Sequence, residues 1–146
     1  MHVQVRTATV KSGFSDEEPP VVAISAEYPT GSLSEVLTLL AGAGFNLRGA
    51  SGQHIEFGGD FSFWCEKRKG DKDHEESTRA ALQLLREEHY DAHAYEVSAS
   101  YLPDKVGALR DFVASLSDKG LLVHEISVGT PDEHGVPVQV FTVKAG

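Results

Sequence analysis

One cysteine, Cys65, stands in a chain of 146 residues. A lone thiol excludes an internal disulfide framework and suits a reducing cytoplasm. Long apolar runs are missing as well, since no stretch approaches the roughly 18 consecutive apolar residues that span a bilayer. The opening MHVQVRTATV lacks the basic-then-apolar layout of a secretion signal, so a cytoplasmic protein is expected. Basic residues are scarce: 13 Lys and Arg against 22 Asp and Glu leave a formal charge of −9. Nucleic-acid binding relies on clustered cations against phosphates. The one dense basic cluster, Lys67 to Lys69, is followed at once by Asp71 and Asp73 and reads as a solvated loop tip. The expected partner is a small molecule or another protein, with no nucleic acid and no membrane. Hydrophobic residues make up 40% of the chain, enough for one ordinary domain or two very small ones.

Patterns that carry catalysis are equally thin. His89 and His93 are spaced i, i+4 without any C-x-x-C beside them, a weak zinc signal. Cys65 continues the alternation of Phe61 and Phe63 and reads as a small core residue. Ser51 and His54 in GASGQH lack the strand–turn–helix setting of a nucleophile elbow. The acidic pairs at Asp16 to Glu18 and Glu75–Glu76 fall in a linker and a helix start. No catalytic residue, metal or cofactor is assigned. Trp64 faces away from the Cys65 side and is expected to be exposed, either as a protein interface or as ordinary partial exposure.

What is present is a repeat. TGSLSEVLTLLAGAGFNLRGAS lies over VGALRDFVASLSDKGLLVHEIS without a gap, at a constant offset of 76 residues. Gly31 falls on Gly107, Leu33 on Leu109, Val36 on Phe112, Leu40 on Leu116, Gly44 on Gly120 and Ser51 on Ser127. Leu33, Val36, Leu37 and Leu40 form one helical stripe, repeated by Leu109, Phe112, Val113 and Leu116. Ser32 and Glu35 make a capping box, and Asp73 with Glu76 opens another helix in the same way. The glycines of AGAG do not form a dinucleotide turn, because that turn precedes a helix and these follow one. Gly44 and Gly120 are helix terminators.

Extended runs surround the helices: VVAISAEY and YEVSASYL before them, FNLRGASG and LLVHEISVG after, then DFSFWCEK and VPVQVFTVK. The strand AHAYEVSAS is expected to run into the second unit's opening strand. An α+β fold of two ferredoxin-like units follows, with antiparallel sheets and helices on one face. The first unit covers residues 20–93 as β-α-β-β-α-β. The second, residues 94–146, stops after β-α-β-β. Residues 1–19 hold an alternating segment and a polar linker, and residues 3 to 9 are expected to lend an edge strand to the second unit.

A strand, a short turn, G-x-L opening a helix and a Gly-closed return resemble the ACT domain, the ligand-sensing module of amino-acid metabolism. DKVGALRDFVASLSDKGLLVHEIS from Asp104 is similar to the family's D-x-P-G-x-L opening, with Val106 in place of proline. In the first copy YPTGSL keeps Gly31 and Leu33, has Tyr28 at the Asp position and displaces the proline to Pro29. The resemblance covers residues 20 to 144. It implies βαββαβ units paired side by side, a small ligand, commonly an amino acid, at their seam, and regulation through a homodimer or a partner enzyme. The implied ligand residues are Asp104, Lys105, Val106, Gly107, Ala108 and Leu109 with Asn46 and Leu47. Tyr28, Pro29, Thr30, Gly31 and Leu122 form the opposite, less polar set.

Asp104 suits a ligand ammonium and Asn46 both donates and accepts, so one competent site per chain is expected. Other readings stand beside this one. Asp104 also serves as a helix N-cap, Asn46 as a turn residue, and both glycines as packing residues. The alternative functions are a metal-dependent enzyme of the vicinal-oxygen-chelate kind, drawing on His124, Glu125, His54 and Glu56, and a ligand-free structural interaction subunit.

Overall fold

The computed structural model describes residues 22–28, 33–55 and 58–145. In chain order these hold β1 (Val22–Tyr28), α1 (Leu33–Gly42), β2 (Leu47–Ile55), β3 (Gly58–Cys65), α2 (His74–Glu87), β4 (Asp91–Leu102), α3 (Ala108–Asp118), β5 (Leu121–Val128) and β6 (Val136–Lys144). Two compact units result, one spanning Val22–Tyr95 and the other containing Glu96–Gly146. The boundary falls inside β4, a single 12-residue strand that serves both. The edge strand expected from residues 3 to 9, and the Ser32 half of the first capping box, lie outside the described residues.

Within Val22–Tyr95 the elements run β-α-β-β-α-β and the strands lie in the order β2-β3-β1-β4. β3 is antiparallel to both neighbours, with Phe63 opposite Ile24 and Cys65 opposite Leu47. Alternation sends Ile24, Ala26, Phe61, Phe63 and Cys65 to one face, where Val36 and Leu40 of α1 and Ala81, Leu82 and Leu85 of α2 bury them. Leu37, the fourth member of the α1 stripe, stays exposed.

The helix ends explain why each chain segment returns to the sheet. After α1, Phe45 N–H donates to the Leu40 carbonyl (3.1 Å) and Gly44 N–H to that of Ala41 (3.0 Å), with Gly44 at φ 85°. This is a Schellman closure, and it needs a left-handed residue. α2 closes the same way with His89 (φ 69°) in the left-handed position and Tyr90 N–H on Leu85 (3.0 Å). At its start the Asp73 side chain accepts from Glu76 N–H (2.8 Å). Buried Thr78 and Ser77 are satisfied by Cys65 N–H (3.0 Å) and Arg68 N–H (2.8 Å), which lock α2 to the end of β3.

Two expectations for this unit are corrected. Trp64 is 4% exposed, its ring edge-on to His74 with centroids 5.8 Å apart. Alternation gives the face a residue occupies but not whether that face is covered. The basic cluster is not simply a solvated tip. Arg68 lies 4.3 Å over the Phe45 ring, donates to the Ala43 carbonyl (3.0 Å) and pairs with Asp71 (3.0 Å). Hydrogen bonds from Ser77 and Arg68 hold the Asp71 carboxyl below its ordinary range.

The second unit orders its strands β4-β6-β5, with Val97 opposite Phe141 and Ile126 opposite Val140. Its one described helix, α3, buries Phe112 and Leu116 against Leu102, Leu121, Val138 and Val140. α3 also ends in a left-handed glycine, Gly120 at φ 74°.

Leu40→Ala, at a fully buried contact of α1, is expected to lower unfolding free energy by about 2–5 kcal/mol in urea titrations. Cys65 tests the core differently. Burial pushes its thiol up to about 12 from the ordinary 9.0. The unfolded chain therefore releases this proton first as pH rises, and the stability it contributes below pH 9 is lost between 9 and about 12. The stability advantage of wild type over Cys65→Ala is expected to shrink across that window.

Candidate functional site

The chain leaves β4 at Leu102 and enters α3 through Pro103 to Gly107. Lys105 N–H donates to the Pro103 carbonyl (2.9 Å), and Gly107 turns the backbone at φ 87° to start the helix. Gly107 is the N-cap residue and α3 has no side-chain cap. Asp104 is thus not the cap that its residue type allowed. It stands exposed on the turn with Lys105 and Val106, the latter projecting fully into solvent. Ala108 packs on the second core and Leu109 is exposed. The turn therefore offers a carboxylate, an ammonium and an uncapped first helical turn whose N–H groups and dipole favour an anion.

A second element leaves the sheet at the same end. Leu102 pairs with Val136, so the turn before β6 and the turn after β4 start side by side. The backbones meet so closely that a Cβ on Gly135 would lie 2.5 Å from the Leu102 carbonyl oxygen. The Tyr101 hydroxyl donates to Asp132 (3.3 Å), and the His134 ring lies 5.5 Å from the Tyr101 ring. Burial first, and Asp132 second, raise the Tyr101 phenol above its usual range. The spacing of the residues gave no hint of this Tyr101–Asp132–His134 cluster, since 31 positions separate the hydrogen-bonded pair.

The residues expected from the first copy are distributed differently. Asn46 donates to Glu66 Oε2 (2.6 Å), the same oxygen that Arg48 contacts at 2.6 Å. Glu66 N–H in turn donates to the Asn46 carbonyl (2.9 Å), extending the β2–β3 ladder past its last strand residues. Asn46 is therefore the exposed member of a polar trio whose other two side chains, Arg48 and Glu66, are half-buried. Leu47 packs on the first core. Tyr28 is half-buried at the end of β1, its ring over Gly59. Pro29, Thr30 and Gly31 lie outside the described residues, and Leu122 is exposed on β5.

Among the described residues no group of three or more His, Cys, Asp or Glu side chains is arranged to hold a metal ion. The His54 side chain and Glu56 lie outside the description. His93 pairs with Asp91 (2.9 Å) in β4, beyond the end of α2. No helix among the described residues is long and apolar enough to cross a membrane.

Gly107 is required first by its backbone, and a Cβ there would also lie 2.9 Å from the movable Arg110 guanidinium. At φ 87° an alanine is strained by about 1–2 kcal/mol, so Gly107→Ala is expected to destabilise by that amount. Gly42, within α1 and with open space around its Cα, is expected to gain about 0.5–1 kcal/mol as alanine. Thermal melts of the two variants check both signs.

No family model matches the chain, and no curated protein matches it. Solved structures do. A protein from Bacteroides thetaiotaomicron superposes with a TM-score of 0.60 at 19% identity, over 83% of this chain and 77% of that one. The regulatory subunit of aspartate kinase from Thermus thermophilus, in a ligand-free form, gives 0.53 at 12% identity, over 83% and 81%. The aspartokinase alpha and beta subunits give 0.50 at 17%, over 84% and 82%. At such identities the likeness concerns the fold alone, and that fold is ACT-like: α+β, with helices packed on antiparallel ferredoxin-type strands.

Proposed function

We propose that this chain is a non-catalytic regulatory protein that binds a small zwitterion, an amino acid, through the Asp104–Leu109 turn. The observation that carries the proposal is the turn itself. Its glycine has no Cβ, which permits the left-handed backbone there, and the helix that follows carries no side-chain cap. A ligand carboxylate fits the helix start, and Asp104 takes the ammonium. The ACT-like fold supports the reading, because solved relatives of that fold include the regulatory subunit of aspartate kinase.

Regulation then works by population shift: a ligand that prefers one arrangement of the protein raises that arrangement's population by its differential affinity. The receiver of the signal is a partner enzyme or a second copy of the chain.

Thermal-shift screening against the individual amino acids tests the proposal. A ligand bound only by the native state, at about 100 times its dissociation constant, adds about 2.7 kcal/mol. One amino acid is expected to raise the melting temperature, with calorimetric stoichiometry of one per chain and loss of binding in Asp104→Ala. A flat screen, or binding unaltered in Asp104→Ala, contradicts the proposal.

A further inference from the structure

In the first unit the helices cover one face of β1, β3 and β2, and the other face carries polar side chains in register. Ser25 lies opposite Ser62 and Ser62 opposite Ser51, so three hydroxyls form a row across three strands. Glu27, Asp60 and Gln53 form the next row. Gly49, left-handed at φ 53°, falls within the register shift between Arg48 and Ser51, and that shift puts Ser51 on the same face as Arg48. Burial changes from one row to the next. Ser62 is 1% exposed and Ser25 7%, Asp60 is half-buried, and Glu27 and Gln53 are exposed.

Buried hydroxyls normally find a partner. Among the described residues Ser62 Oγ and Ser51 Oγ are buried without one. Asp60 leans toward this row, because its Oδ1 accepts from Ser25 Oγ at 2.9 Å. Alternation along β4 from Ala92, which packs under the helices, sends Tyr95 to the same polar face. Burial first, then Asp60, Asp91 and Glu27, raise the Tyr95 phenol above its usual range. Three carboxylates thus act on one place beside two unsatisfied hydroxyls.

We propose that this face of the first unit binds a primary alkylammonium ion, with Asp60 as counter-charge and the Ser62 and Ser51 hydroxyls as its other acceptors. An ammonium carries three donors and no acceptor, and Asp60 Oδ2, Ser62 Oγ and Ser51 Oγ supply three acceptors. Side chains directly opposite on neighbouring strands stand about 4.5–5.5 Å apart at Cβ, so one nitrogen reaches both hydroxyls. A guanidinium is served less well, since its planar fork seeks both oxygens of a carboxylate and Ser25 already holds Oδ1. A zwitterionic amino acid brings a carboxylate that Asp60 and Glu27 repel. A metal ion lacks its ligand set, because no cluster of three or more His, Cys, Asp or Glu among the described residues is arranged for one. The exposed row at Glu27 and Gln53 is the side from which the ion enters, and a charge taken inward is tolerated because Asp60 pairs it. This site belongs to Val22–Tyr95, whereas the Asp104 turn belongs to the other unit, so neither reading rests on the other.

Titration of the full chain with n-butylamine at neutral pH tests the proposal. Trp64, the chain's single tryptophan, stands two residues from Ser62 on the same strand face and reports binding by fluorescence, with amide shifts giving the location. Saturable shifts at Ser25, Asp60 and Ser62 are expected with butylamine and none with n-butanol or glycine. Asp60→Asn keeps an acceptor for Ser25, removes the charge and is expected to weaken binding at least about tenfold. Ser62→Ala separates ligand binding from a structural role. It is expected to weaken binding about tenfold while melting no lower than wild type, because it deletes a buried hydroxyl that lacks a partner. No saturation, an equal response to butanol, or wild-type affinity in either variant overturns the proposal.

Discussion

An apolar sheet face must be covered, and the supply of helices decides how each half of this protein meets that demand. The first unit carries two helices over β2-β3-β1-β4 and buries a core that includes Phe61, Phe63 and Leu85. The second has one described helix over β4-β6-β5, and its described core is half as large, six residues against twelve. Part of its remaining apolar surface is exposed on β5, at Leu122, Val123, Ile126 and Val128. At about 25 cal/mol for each Å² of apolar surface removed from water, leaving four aliphatic side chains partly wet is a standing cost.

The same economy of elements places the chemistry. Strands and helix cores are occupied by packing, so reactive or binding groups collect where the chain leaves the sheet. Gly107 reverses the chain at the end of β4, and the Tyr101–Asp132 bond fastens the β5–β6 turn near that point. A turn held between two fixed elements presents Asp104 and Lys105 without needing a pocket deep in the core. In the proposed sensor this arrangement would let a ligand at the turn act directly on the start of α3 and so on the strand that follows it.

Much of the architecture was legible in the residues. Leu33, Val36 and Leu40, and their counterparts 76 positions on, announced two helices of one design. Gly44, Gly120 and Asp73 marked their ends through chemistry that is local in sequence and insensitive to the rest of the fold. The continuity of β4 through Tyr95 and Glu96 was legible too, because no turn residue interrupts AHAYEVSAS. Long-range features were not. Trp64 was placed on the correct strand face, yet its burial depends on what covers that face. Asn46 looked available until hairpin register brought Glu66, 20 positions away, within 2.6 Å. The β5 bulge left no mark either, since LLVHEISV reads as ordinary alternation until its pairing with β6 is known.

The central claim is that the turn from Asp104 to Leu109 is where the proposed small zwitterion binds. Amide chemical shifts, followed residue by residue as individual amino acids are titrated in, test it most directly. The amides of the turn and of the first turn of α3 should move with one amino acid and saturate, while those of β1 and β3 stay where they are. Shifts absent with every amino acid, or confined to the first unit, would contradict the account.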